Sequence, residues 1–328
     1  MAKITVILCT YDRHQSLAKA LESIAASKLP DSIEWETLVV DNNSTDRTRE
    51  VVGDFCRRYP GRFRYLFEPL QGKSYALNSG IRESRGTILA FADDDATVEP
   101  DWLWNLTSAL HDGKWAGAGG RIIPVWPAPL PRWLSTEDPN TMGPYVAFDL
   151  GMEAGQLTRP PYGANMAFRR EQFEEYGGFR IDVGPRPRED IEFAQRLLTG
   201  GERLRYEPRA VVHHPVTEDR MTKGYVLRWW FSYGYSEVVE SRQQSDSRWI
   251  LCRVPIYLLR RLLRWTLQWM VSFRAPRRFS CKRAVWYIAG TVLACYQLPQ
   301  CHNTRVPTVA KSRNKHPDGT PSQADAPQ

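Results

Sequence analysis

The first 110 residues alternate short apolar runs with stretches of helical period, and each apolar run ends in polar or charged side chains. "KITVILCTYDR", "WETLVVDNNS", "FRYLFEP" and "TILAFADDD" have the length and content of strands. Between them, His14 to Ser27 puts Leu17, Leu21 and Ile24 on one helical face; Asp46 to Tyr59 and "GKSYALNSGIRES" also read as helices. A βαβαβαβα order of this kind predicts an α/β fold, with a mostly parallel, doubly wound sheet and helices on both faces. No G-x-G-x-x-G follows the first strand and no P-loop is present, so an ordinary dinucleotide fold lacks its phosphate loop. "GAGG", residues 117–120, is wrongly placed for that role and is expected to serve a turn or close packing.

In such a sheet, ligands bind beyond the C-terminal strand ends. The fourth strand ends there in Asp93, Asp94 and Asp95. An aspartate ordinarily titrates near pH 4, at about 3.9, so three adjacent ones repel unless something neutralises them. A hard divalent cation, Mg²⁺ or Mn²⁺, suits carboxylate and phosphate oxygens; a solvated acidic turn or a helix cap is the alternative. The following "EPDWLWNLTSAL" reads as a helix, with Pro100 in its first turn. The other strand ends carry Thr10, Tyr11, Arg13 and Asp41. Tyr11 can stack on a base, Asp41 can accept from an imide N–H or a ribose hydroxyl, and Arg13 can pair with phosphate.

"VILCTYDR", "LVVDNNSTD", "GKSYALNSGI" and "FADDDATVEPDWL", followed by "GANMAFRREQFEEYGGF" and "REDIEFAQRLLTGGERLRYEPRAVVHHP", resemble the family 2 glycosyltransferases over residues 3 to 240. The resemblance implies the GT-A fold and inverting transfer of a sugar from a nucleotide donor, most often a UDP-sugar. It implies a donor half over 1–112 and an acceptor half over 113–240. Asp95 is then the direct metal ligand, Asp93 the other end of the D-x-D pattern, and Asp94 a ribose contact, with the register open by one residue. Lys73 would meet uridine or phosphate. Inversion by direct displacement needs a base on the acceptor side. In "PREDIEF" the family pattern makes that base Asp190 and gives Glu189 an acceptor-side or supporting role, in a helix whose Ile191, Ala194, Leu197 and Leu198 are expected to face the core. His214 of "AVVHHP" is the expected third metal ligand, with His213 pointing the other way. Arg220 is a candidate for closing over the diphosphate. Residues 123 to 161, rich in Pro and Trp, read as an irregular insert on the acceptor side, and "YGANMAF", with Gly163 and Asn165, as the floor of the acceptor pocket. A catalytically inactive sugar-nucleotide-binding or scaffold protein at a membrane is the alternative.

The net charge of +7 is unevenly distributed. From Ser247 to Pro317 there are fourteen Lys or Arg and no Asp or Glu, whereas residues 1–246 carry 30 basic and 35 acidic side chains. "WILCRVPIYLLRRLLRWTLQWMVSF" gathers Arg253, Arg260, Arg261, Arg264 and Gln268 in one helical wedge. Arginines at that density disfavour spanning a bilayer. An interfacial helix is expected instead, with Arg toward anionic headgroups and Trp265 and Trp269 toward acyl chains. A helical pair buried against the catalytic domain is the competing reading. The segment is too apolar for a nucleic-acid groove, so no nucleic acid is expected as a partner. With Lys3 leading directly into "ITVILCT", no cleavable leader is expected, and six cysteines without a C-x-x-C pair read as reduced thiols. The expectation is therefore a cytoplasmic protein, peripheral on the inner face of the membrane. It carries basic amphipathic helices over 247–298 and a disordered tail over 299–328.

Overall fold

The computed structural model describes residues 3–136, 138, 142–181, 188–241, 250–251 and 254–297. The expected tail, Arg253, Cys252 and Cys301 lie outside them.

The four early strands are β1 (Lys3–Thr10), β2 (Glu34–Asp41), β3 (Phe63–Phe67) and β4 (Ile88–Asp93). They pair in parallel in the order β3-β2-β1-β4. Helices α1 (His14–Ala25), α2 (Thr48–Arg58) and α3 (Lys73–Glu83) connect them. The near-continuous burial of β1, β2 and β4 is what a strand covered on both faces requires. One apolar layer holds Leu17, Leu21, Val52 and Trp102, and the other holds Leu77, Phe91, Phe168 and Phe193.

Beyond β4 the sheet becomes mixed. A two-residue strand β5 (Thr97–Val98) precedes α4 (Trp102–Thr107), which starts two residues after Pro100. Strand β6 (Gly117–Val125) includes the "GAGG" run and the first residues of the expected insert. Close packing accounts for two of these glycines: a Cβ on Gly119 would overlap Pro161, and one on Gly120 would overlap the Ala210 carbonyl. Next come β7 (Gly155–Gln156), β8 (Met166–Arg169), α5 (Arg170–Tyr176), α6 (Glu189–Thr199) and β9 (Leu204–Pro215). Strand β8 runs antiparallel between β4 and β6, and β6 pairs in parallel with β9. The β6–β9 register shifts at Gly120/Arg121, opposite Pro208, which has no N–H for the ladder. Helix α6 buries Glu189, Phe193, Ala194 and Leu197, and the half-buried Leu198 packs against the same core; Ile191, also expected there, is only half-buried. The aromatic ring of Phe193, stacked on Phe173, sets the helix rotation instead.

The C-terminal part is α7 (Lys223–Ser241), a short hairpin β10 (Ile250–Leu251) and β11 (Val254–Pro255), α8 (Ile256–Val271) and α9 (Ala275–Gln297). A third apolar cluster joins α7 and α9 to the Pro/Trp-rich insert: Tyr145 meets Trp126, and Trp133 packs on Phe279. Helices α7 and α9 touch at backbone level, since a Cβ on Gly290 would overlap the Phe231 carbonyl and one on Gly234 the Tyr287 carbonyl. Among the described residues, no helix is long and apolar enough to cross a membrane. The expected orientation of α8 is corrected in one respect. Trp265 and Trp269 are both half-buried, with Lys282 of α9 5.4 Å above the Trp269 ring, and the most exposed apolar side chains of the helix are Leu263, Leu267, Met270 and Val271 instead.

Candidate active site

The site forms where β1, β4 and β9 end and α3 and α6 begin. The loops after β1 and β2 are stitched together. Asp12, at φ 48°, accepts the Thr45 and Asp46 N–H groups at 2.6 and 3.2 Å, and the Asp12 N–H donates to Ser44 Oγ at 3.0 Å. Asp46 in turn accepts the His14 and Thr48 N–H groups at 3.0 and 2.9 Å, the first residues of α1 and α2. One carboxylate thus satisfies an orphan donor at two helix starts. Burial opposes its charge, but the bonds from Thr48 and His14 prevail and hold it below the usual carboxylate range.

This frame leaves Tyr11 exposed and Arg13 half-exposed, with Thr10 buried at the end of β1. Asp41 is buried; its Oδ2 accepts the Tyr65 hydroxyl at 2.8 Å and its Oδ1 the Ser44 N–H at 2.9 Å. One lone pair on each oxygen is left for another donor.

The acidic triplet is divided between two cations. Arg13 Nη1 lies 3.1 Å from Asp94 Oδ1 and 3.1 Å from Asp95 Oδ2, and Lys73 Nζ lies 2.9 Å from Asp93 Oδ1. Asp94 is buried, which lifts its pKa with help from Asp95 and Asp93 against the pull of Arg13. Burial also acts on Asp93, but Lys73, His214 and Arg13 outweigh it and lower the pKa. His214, buried at the end of β9, brings Nε2 to 3.5 Å from Asp95 Oδ1. Its Nδ1 is buried without a protein partner. Asp93, Asp95 and His214 each offer one ligand atom within 4.8 Å of the others. Two carboxylate oxygens and an imidazole nitrogen are a donor set that Mn²⁺ or Mg²⁺ accepts, so these residues fit such an ion. His213 points away and meets Glu99 at 2.7 Å.

Lys73 also ties this cluster to the acceptor side, 3.9 Å from Glu189 Oε1. Burial works against its charge, yet Asp93, Glu189 and Asp190 keep the ammonium charged well above the ordinary lysine range. Glu189 is 3% exposed with Oε2 unpartnered, and burial, reinforced by Asp190 and Asp93, raises its pKa against Lys73. Asp190, beside it, receives the Gly163 N–H on Oδ2 at 2.6 Å and the Ile191 N–H on Oδ1 at 2.8 Å. A Cβ on Gly163 would stand 3.0 Å from that Oδ2, so the glycine permits the approach.

Asn165 is not on the pocket surface. It is fully buried, accepting Trp102 Nε1–H at 2.8 Å and donating to the Arg121 and Ala210 carbonyls at 2.9 and 2.8 Å. Its part is to brace the floor from within. Arg220 lies in a short 3₁₀ turn, Glu218–Met221, just beyond the end of β9. Sequence reasoning missed a wall beside Asp190. Arg188 stands 4.7 Å over the Tyr233 ring, and Tyr233 stacks on Trp229 at 5.1 Å. The aromatic-dense "RWWFSYGY" was the available signal.

Known proteins agree with this architecture. The family model "Glycosyl transferase family 2" matches residues 5–177. The succinoglycan biosynthesis protein ExoM of Rhizobium meliloti is 30% identical over 235 residues, covering 70% of this chain and 72% of that protein. The glucosyl-dolichyl phosphate glucuronosyltransferase of Haloferax volcanii is 28% identical over 255 residues, covering 72% and 77%. Among solved structures, the mannosyltransferase PcManGT from Pyrobaculum calidifontis, in complex with GDP-Man and Mn²⁺, superposes with a TM-score of 0.61 at 20% identity, covering 89% of this chain and 87% of that one. A match across more than half the chain, on a GT-A sheet that ends in an Asp-Asp-His cluster, makes this protein a glycosyltransferase of family 2.

Proposed function

We propose that the enzyme transfers a sugar from a nucleoside-diphosphate donor, with UDP-sugars as first candidates, to a lipid-linked or polysaccharide acceptor, inverting the anomeric carbon. The observation that carries this reading is the convergence of two sets of groups. Asp93, Asp95 and His214 cluster on one side, and Asp190, held by Gly163, lies on the other, with Lys73 between them.

Tyr11 stacks on the base, Asp41 accepts from base or ribose, and Asp94 meets ribose beside buried Thr10. Arg13 and Lys73 face the diphosphate as fixed positive charges. Asp95 and His214, with Asp93, are the residues to hold Mn²⁺ or Mg²⁺. When bound, such an ion supplies Lewis-acid stabilisation of the departing diphosphate. Asp190 takes the proton of the acceptor hydroxyl as its oxygen forms the new bond to the anomeric carbon. The bond from that carbon to the phosphate oxygen breaks in the same displacement, and the nucleoside diphosphate leaves with the electron pair. Two of the four lone-pair sites of Asp190 are used by backbone N–H groups, which orient the carboxylate and leave room for that proton. Glu189 supports the acceptor pocket next to Gly163.

The names of the two relatives, one in succinoglycan biosynthesis and one acting on a dolichyl phosphate sugar, support an acceptor at a membrane. So does the acid-free basic segment from Ser247 to Pro317, which suits a peripheral position on an anionic, cytoplasmic leaflet. GDP-Man in PcManGT keeps guanosine donors in the test set. An inactive nucleotide-sugar-binding scaffold is the weaker reading, because the chain carries a carboxylate at each position to which the proposal gives a role. The test is nucleoside diphosphate release from a panel of nucleotide sugars with Mn²⁺, with and without excess chelator. Release from one donor that stops on chelation supports the proposal. Full activity in chelator removes the metal, and no release from any donor favours the scaffold.

A further inference from the structure

The corner between α8 and α9 combines features that the catalytic site does not use. Leu263, Leu267 and Met270 follow one another at i, i+4 and i+7 on α8 and are 62%, 53% and 65% exposed. Val271 and Phe273 continue the patch around the turn at 68% and 93%. Single exposed apolar residues are ordinary, but a contiguous stripe ending in an almost fully exposed phenylalanine is not. Arg260 and Arg264 lie exposed along its edge, and Arg274, Arg277 and Arg278 stand exposed just beyond it.

We propose that this corner is a membrane seat: Leu263, Leu267, Met270, Val271 and Phe273 enter the acyl boundary of an anionic bilayer while the arginines meet its phosphates. This rests on the reading of a membrane-bound acceptor and specifies which residues make the contact. The occupant follows from charge. A soluble partner would have to cover an apolar stripe framed by five arginines with no carboxylate from Ser247 to Pro317, whereas an anionic lipid surface offers tails and phosphates in that arrangement. Helix length agrees. Sixteen residues in α8 span about 24 Å, suited to lying in the interface and short of crossing. The insertion face is not the tryptophan face, because Trp265 and Trp269 are both half-buried and Lys282 of α9 covers the Trp269 ring.

The seat connects to the acceptor side through packed helices. Helix α9 meets α7 at backbone contact through Gly290 and Gly234, and α7 carries Tyr233, whose hydroxyl accepts from Arg188 Nη2 at 3.3 Å, two residues from Asp190. An enzyme seated by this corner therefore has its acceptor wall tied to the bilayer through those helices.

The test uses the full chain, with no donor, metal or acceptor. It is sedimented with vesicles of phosphatidylcholine alone and of phosphatidylcholine with phosphatidylglycerol, at low and high salt. Wild type should pellet with the anionic vesicles and be partly released by salt. Replacing Leu267, Met270 and Phe273 together by Ser should weaken that binding at least about tenfold, since each removed side chain loses its burial in the acyl boundary. Arg274→Glu/Arg277→Glu/Arg278→Glu should abolish the preference for anionic lipid. Circular dichroism melting of both variants should match wild type, because the replaced side chains are exposed. The proposal is overturned if wild type ignores anionic vesicles. It is equally overturned if the serine variant binds as wild type does, or if the patch instead forms a dimer that the serine variant loses. Because no transfer is measured, failure here leaves the glycosyl-transfer reading standing, and an inactive enzyme that still pellets leaves the seat standing.

Discussion

Asp190→Asn separates the proton acceptor from everything else in the site, and its size can be worked from the geometry. The carboxylate holds the Gly163 N–H at 2.6 Å on one oxygen and the Ile191 N–H at 2.8 Å on the other. An asparagine keeps one acceptor oxygen and turns an NH₂ toward the other donor, losing one hydrogen bond to a charged group, about 1.5–3 kcal/mol. That predicts a melting temperature lower by several degrees, at about 2–4 °C per kcal/mol for a domain of this class. The chemical loss is larger: without a general base, turnover should fall about 10²–10⁴-fold, or about 3–5 kcal/mol of barrier. Donor binding should stay within about twofold of wild type, because the proposed role of Asp190 is toward the acceptor and Asp93 and Glu189 still hold Lys73. The assay pairs nucleoside diphosphate release, at saturating donor with Mn²⁺ and a membrane lipid extract as acceptor, with equilibrium donor binding. Turnover within about fivefold of wild type would show that the proton goes elsewhere and refute the assignment. Parallel loss of turnover and donor binding would refute it too, since that pattern belongs to a collapsed site.

Gly163→Ala places a Cβ 3.0 Å from Asp190 Oδ2 and must displace the carboxylate by a few tenths of an ångström; turnover should drop with donor affinity unchanged, read from the same two assays. Asp95→Asn and His214→Ala should each weaken Mn²⁺ binding, followed by the loss of the free-ion electron paramagnetic resonance signal on titration, whereas Asp190→Asn should not. Asp46→Ala removes the acceptor at two helix starts and should destabilise the fold by about 2–3 kcal/mol in denaturant melts. Since the folded-state pKa of Asp46 is depressed, its contribution is fully present above the ordinary carboxylate range and is lost as pH falls through and below it. The stability gap between wild type and Asp46→Ala should therefore narrow on acidification from about pH 5; a gap that stays constant down to pH 3 or so would rule out the charged carboxylate as its source.

The sequence alone carried the elements whose cause is local. Apolar runs of strand length and the Leu17, Leu21 and Ile24 spacing define the parallel half of the sheet, because burial on both faces writes itself into contiguous residues. The acidic triplet was legible for a similar reason: three adjacent carboxylates at a strand end demand neutralisation. Only the folded chain decided which groups supply it. His214 reaches Asp95 because β9 pairs in parallel with β6, and β8 joins β6 to β4, a register set by contacts far apart in sequence. The same holds for Asn165, whose place within a motif suggested a pocket residue but whose amide closes three internal hydrogen bonds. Helix α8 is the sharpest case. Outside its arginine wedge it is apolar nearly all round, so periodicity assigns the charged face but leaves the inner apolar side open. Packing against α9 made that choice, half-burying the tryptophans, with Lys282 over Trp269, and leaving Leu263, Leu267 and Met270 outside.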